Sequence, residues 1–133
     1  MLEIFEFHHI GVATNDIKKT ASYYETAGYC LSSIIFDPIQ NVNIAFLYKD
    51  NMPTVELLEP VDDKSPVYKI VKTSGVTPYH CCYKVDDISY AIKNLREKRF
   101  IPLSNPVPAV ALENKRICFL YNREVGLIEL LEK

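Results

Sequence analysis

Residues 5–14, FEFHHIGVAT, form an apolar stretch rich enough in β-formers for a strand. The polar pair Asn15-Asp16 interrupts it, and either residue can cap a helix. Ile17, Ala21 and Tyr24 follow at i, i+4 and i+7 and give that helix one apolar face, with Gly28 just past its end. Tyr29–Phe36 is β-branched and aromatic and reads as a strand stopped by Asp37-Pro38. Val42–Tyr48 and Thr54–Leu58 read as two more, joined across Lys49–Pro53. The order is strand, helix, three strands.

The second half reads the same way. Residues 78–85 form a strand, and a helix capped near Asp86 carries Ile88, Ala91, Ile92 and Leu95 on one face. Phe100–Leu103 is a short strand, and Arg116–Tyr121 and Leu127–Leu131 pair across a turn at Arg123–Gly126. Between the halves, Ser65 caps a helix with Pro66 at its first position, Val67, Ile70 and Val71 on its apolar side and Gly75 at its end. Residues 105–108 are proline-rich and read as a surface loop.

The chain also repeats itself residue by residue. FLYKDNMPTVELLEP at 46–60 and FLYNREVGLIELLEK at 119–133 agree at seven of fifteen positions, 73 apart. His9-Ile10-Gly11 overlies His80-Cys81-Cys82 at an offset of 71. The expected fold is therefore α+β: two βαβββ modules in tandem, forming a curved eight-stranded sheet around a cleft with helices on the outer face. It reads as a single domain, 1–133, with module 1 at about 5–60, a connecting helix at about 64–75 and module 2 at about 78–133.

At 133 residues, 48% hydrophobic, 24% charged and with a net charge of −2, the composition is that of an ordinary globular protein. There is no basic stripe for nucleic acid and no apolar run of about 20 residues for a membrane span. The N-terminus, MLEIFEFHHI, is acidic where an export signal is basic, so a cytoplasmic location is expected. Cys30, Cys81, Cys82 and Cys118 lack CxxC spacing and read as reduced, buried thiols.

The chemistry lies in the repeat. Each half opens with a histidine on an apolar strand and closes with a glutamate on another: His9 and Glu56, then His80 and Glu129, at intervals of 47 and 49. His9 shares a strand face with Gly11 and Ala13, while His8, Ile10 and Val12 take the other; His80 shares its face with Cys82 and Lys84. A strand histidine is usually a hydrogen-bonded core residue. Two repeat-equivalent histidines out of three, matched by two glutamates in apolar strands, need a further explanation, because a buried unpaired carboxylate costs several kcal/mol, of order 3–5. Two imidazoles and two carboxylates suit one divalent ion (Zn, Ni, Co, Mn or Mg) and neutralise its charge. Two open positions would then remain for adjacent oxygens of a small-molecule substrate. Glu59 and Glu132 fall on the opposite parity, near strand ends, where solvent is expected.

FHHIGVATNDIKKTASYYETAGY resembles the opening of the vicinal oxygen chelate superfamily, which includes glyoxalase I, methylmalonyl-CoA epimerase, extradiol dioxygenases and fosfomycin-resistance proteins. TVELLEPVDDKSPVYKIV, YHCCYKVDDISYAIKNLREK and RICFLYNREVGLIELLE extend the likeness over nearly the whole chain, toward the epimerase-like and glyoxalase I-like branch. The resemblance implies a metal at His9, Glu56, His80 and Glu129, and a homodimer. It further implies a metal-dependent glyoxalase/epimerase-like lyase or isomerase, moving a proton next to a carbonyl or thioester. Glu129 is the first choice for the base and Glu56 the second. The alternative is a small-molecule binding or resistance protein on the same scaffold, without proton transfer.

Several residues depart from the pattern. Where the resembling epimerases carry a second base, the best-aligned positions here are Ile39 and Gln40. Their histidine-glycine loop is replaced by AVALENKRI. The arginines that glyoxalase I uses for glutathione are absent, since none precedes Arg96, and its asparagine motif is replaced by Leu57-Leu58-Glu59-Pro60. Glu56 disfavours the dioxygenase ligand set. Lys84 can face an anionic substrate or end in water. Lys115 and Arg116 can touch a phosphate or carboxylate, or be solvated. Tyr48 and Tyr121 are repeat-equivalent and expected in the core or at the rim.

Overall fold

The computed structural model describes residues 5–133, so the reading of the N-terminus as lacking an export signal rests partly on residues outside the described ones. The chain divides into two compact units: residues 9–79, and residues 80–133 together with 5–8. Both combine parallel and antiparallel strand pairs with helices, and the class is α+β with three helices among the described residues.

The first unit takes β1 (Glu6–Ala13) from His9 onward, then α1 (Ile17–Glu25), β2 (Cys30–Leu31), β3 (Ile35–Asp37), β4 (Val42–Tyr48), β5 (Thr54–Pro60) and α2 (Pro66–Ser74). Its strands run in the order β2-β4-β5-β1, with β3 also on β4. Asp16 caps α1, its carboxylate accepting from Lys19 N–H at 3.0 Å. The buried face of α1, Ile17 and Ala21, packs on Val12, Ala45, Leu47, Val55 and Leu57. Ser65 and Pro66 open α2 at the positions the sequence reads, though the Ser65 side chain makes no capping hydrogen bond, and Gly75, at φ 71° and ψ −160°, ends it in a positive-φ conformation that glycine adopts readily.

The second unit contains β6 (Thr77–Val85) from His80 onward, α3 (Ile88–Glu97), β7 (Ile101–Pro102), β8 (Val107–Ala109), β9 (Lys115–Asn122) and β10 (Gly126–Glu132). The strand order is β6-β10-β9-β7, with β8 on β9. Asp87, one residue beyond the expected cap, accepts from Tyr90 N–H at 3.0 Å. Ile88, Ala91 and Leu95 pack on Val85, Cys118, Leu120, Ile128 and Leu130.

Among the described residues, ten strand segments stand where eight were expected. The stretch 29–36 breaks after Leu31 because the Ser32 hydroxyl accepts from Phe46 N–H at 2.8 Å, taking a place a ladder carbonyl would fill. Val107 and Pro108, read as part of a loop over 105–108, form a strand with Ala109 despite the proline, because this strand pairs with β9 on one side only. A 3-10 turn, Val110–Leu112, follows it.

Candidate metal centre

In the first unit β1 and β5 run parallel with Gly11 opposite Glu56, and β4 runs antiparallel to β5 with Phe46 opposite Glu56. Residues opposite each other share a face, so His9, Glu56 and Phe46 all project from the side that α1 does not cover. His9 is fully buried and its Nε2 lies 3.3 Å from Glu56 Oε1. Phe46 meets the His9 ring edge-on, at 5.8 Å between centroids and 75° between planes.

The second unit repeats this arrangement. Cys82 stands opposite Glu129 across the parallel pair β6–β10, and Phe119 opposite Glu129 across β9–β10. His80 Nε2 lies 3.3 Å from Glu129 Oε1, and Glu129 is only 2% exposed. Phe119 meets the His80 ring at 5.1 Å and 89°. Both units therefore bury a histidine and a glutamate side by side, with a phenylalanine ring bracing the imidazole.

Each pair fits a divalent ion on its own geometry. Bonds of about 2.1 Å at right angles place neighbouring ligand atoms about 3 Å apart. One nitrogen and one carboxylate oxygen form the donor set that zinc, manganese, cobalt and nickel accept. Edge-on packing against Phe46 or Phe119 limits rotation of each imidazole and so directs Nε2 toward its carboxylate.

A family model described as the glyoxalase/bleomycin resistance protein/dioxygenase superfamily matches residues 8–119. The chain belongs to that superfamily. The mitochondrial methylmalonyl-CoA epimerase of Mus musculus is 30% identical over 127 residues, covering 92% of this chain and 70% of that protein. Its counterpart from Dictyostelium discoideum is 29% identical over 136 residues, covering 98% of this chain and 80% of its own. The crystal structure of a hypothetical protein from Bacillus halodurans C-125 superposes with a TM-score of 0.86 at 29% identity, covering 97% and 94% of the two chains. Both named relatives are enzymes, and epimerases are isomerases. Among the described residues, no helix is long and apolar enough to cross a membrane.

Other residues flagged in this superfamily member take structural parts. Lys84 is partly exposed and pairs with Glu6 at 3.1 Å, and Lys133 reaches the same carboxylate at 3.4 Å. The two lysines hold the Glu6 carboxyl below its usual range, Lys84 contributing most. Lys115 makes only a long contact to Glu113, at 3.8 Å. Arg116 is engaged twice by Glu132, at 3.0 and 2.9 Å. Ile39 is 56% exposed, and the Gln40 amide donates to Asp37 at 2.9 Å. Neither side chain carries a group that titrates near neutral pH.

Glu59 and Glu132 do not end in solvent as expected. Glu59 accepts from Ile17 N–H at 2.8 Å and Glu132 from Ile88 N–H at 3.0 Å, each anchoring the first turn of its unit's helix. The repeated Leu-Leu-Glu motif was the signal for this, since one glutamate closes each final strand beside a helix start. Cys82 and Cys118 are buried and Cys81 is half-buried, but Cys30 is exposed rather than buried, because the two-residue strand that carries it lies at the edge of its sheet. Burial raises the pKa of the Cys118 thiol, which keeps it protonated and inert.

Proposed function

We propose that this protein is a metal-dependent epimerase-type isomerase, exchanging the proton on the carbon next to a thioester carbonyl, with methylmalonyl-CoA as the first substrate to test. The observation that carries the reading is the matched burial, in both units, of one histidine–glutamate pair at 3.3 Å. We propose further that the two pairs serve one divalent ion, so that His9, Glu56, His80 and Glu129 are its ligands. Burying two carboxylates is costly without compensation, and a 2+ charge supplies it. When bound, the ion acts as a Lewis acid toward the substrate carbonyl oxygen.

The protein's own part is to hold and move the proton. Glu129 takes it from the α-carbon as the C–H bond breaks and its electron pair moves toward the carbonyl oxygen, and a proton delivered to the opposite face of the enolate, with its electron pair returning to carbon, completes the inversion. Glu56 is the second carboxylate available for that work. Dry surroundings favour the transfer, because water cannot solvate either carboxylate. The relatives' names support a CoA thioester over a glutathione adduct, and so does the absence of arginine before Arg96. We also propose a homodimer in a reducing compartment such as the cytoplasm, which suits thiols that form no disulfide.

Elemental analysis of purified protein should find one divalent ion per chain. Deuterium should wash into the α-position of methylmalonyl-CoA in heavy water, and Glu129→Gln should lower that rate by about 100-fold or more while the far-UV spectrum is unchanged. Two ions per chain would break the shared-site reading. Metal without exchange in any thioester or hemithioacetal would leave a binding protein. Full activity in Glu129→Gln would remove Glu129 as the base.

A further inference from the structure

Tyr48 follows Phe46 by two residues on β4 and so shares its face, the one that carries His9 and Glu56. Its ring stacks on Phe46 at 6.0 Å and 26°, continuing outward the line that begins at His9. Phe46 is buried, whereas Tyr48 is 50% exposed, so the stack runs from the buried pair to open solvent within one unit. Cys30, also exposed, stands opposite Tyr48 across β2–β4 and shares the same face.

An aromatic ring with one side supported and a hydroxyl at a wet edge is suited to a ligand that is apolar along its length and polar at intervals. The nearby cation is engaged elsewhere: Lys49 donates to the Ala27 carbonyl at 2.7 Å and lies over the Tyr29 ring. The rim therefore offers a neutral donor and no free positive charge from Lys49, which favours an amide or ester oxygen over a phosphate. Burial, and secondarily the Glu56 charge, raise the Tyr48 hydroxyl above its usual range, so it remains a donor at neutral pH.

We propose that Phe46, Tyr48 and Cys30 form a substrate subsite, in which Tyr48 contacts the neutral, amide-bearing arm beyond the thioester and donates a hydrogen bond to one of its oxygens. This deepens the epimerase reading and takes its substrate class from it. Tyr48 is a specificity-determining residue here, acting on binding of the arm and not on the proton.

Two readouts separate the subsite from the reaction. In the metal-loaded enzyme, Tyr48→Phe should raise KM for methylmalonyl-CoA about tenfold with kcat within about twofold, and Tyr48→Ala should raise it further. Methylmalonyl-CoA should also slow alkylation of Cys30 by iodoacetamide at least about fivefold, followed on the Cys30 peptide by mass spectrometry, and Tyr48→Ala should remove that protection. Exchange with an unchanged KM in both variants, or exchange with no protection of Cys30, overturns the subsite and leaves the reaction standing. Protection lost in Tyr48→Ala, without exchange in the wild type, supports the subsite and overturns the reaction. The absence of both exchange and protection overturns the subsite.

Discussion

Single side chains decide how well the imidazoles are held. His9 and His80 each have one nitrogen directed at a carboxylate, and the ring plane is set by a phenylalanine packed edge-on. Such contacts contribute about 0.5–1.5 kcal/mol beyond simple burial. Their greater effect is on orientation, since a ligand free to rotate loses entropy on binding an ion. Phe46→Leu keeps an apolar side chain of similar size and removes the ring. It should lower stability by about 1 kcal/mol, read as a modest fall in melting temperature. It should also weaken metal binding about tenfold, the usual scale for a residue that positions a ligand, measured by competition with a chelating dye. A metal affinity equal to wild type would show that Phe46 packs without orienting His9.

At the scale of elements, each unit fastens its first helix to its last strand through one glutamate. Glu132 lies among Arg116 and the Ile88 N–H, which together hold its carboxyl below the ordinary value of 4.5, the arginine contributing most. A carboxyl whose folded pKa is depressed stabilises the fold above its unfolded pKa, and that contribution disappears as pH falls through the folded value. The melting temperature of wild type should therefore exceed that of Glu132→Gln by a constant margin from neutral pH down to about pH 5. The two curves should converge once pH has fallen below the depressed folded value. A margin that persists at low pH would mean that the lost contact is a neutral hydrogen bond to the helix and not a charged one. The edge-strand breaks follow similar local logic: Ser32 replaces a ladder carbonyl, and Pro108 is tolerated because no second strand needs its missing N–H.

For the whole molecule, the proposed ion couples the chemistry to stability. An ion that binds the folded chain alone stabilises it by RT ln(1 + [L]/Kd), about 2.7 kcal/mol at 100 times Kd. Dialysis against a chelator should lower the melting temperature by several degrees, about 4–8 °C, and restoring any one suitable divalent ion should recover it. His9→Ala and His80→Ala should each abolish that recovery if both halves serve the same ion. Recovery to the wild-type value in either variant would assign the ion to the other pair alone.

Much of this was legible beforehand from particular residues. The spacing of Ile17, Ala21 and Tyr24 marked α1, the apolar runs marked Val42–Tyr48 and Thr54–Leu58, the latter extending to Pro60 in the structure, and Ser65-Pro66 marked the start of α2. Strand parity assigned His9 and Glu56 to the same kind of face because alternation is a local property of the backbone. What parity does not contain is register. Only the pairing of strands set Phe46 and Gly11 beside Glu56, and Phe119 and Cys82 beside Glu129. The roles of Glu59 and Glu132, the interruption at Ser32 and the engagement of Lys84 and Arg116 were likewise decided by partners 14 to 78 residues away. Periodicity is written in neighbouring residues, so the sequence alone determined the helices, the main strands and which faces carry imidazole and carboxylate, but not the edge strand 107–109 or the break at Ser32. Contacts between distant segments depend on how strands align in space, and tertiary structure alone decided which groups meet.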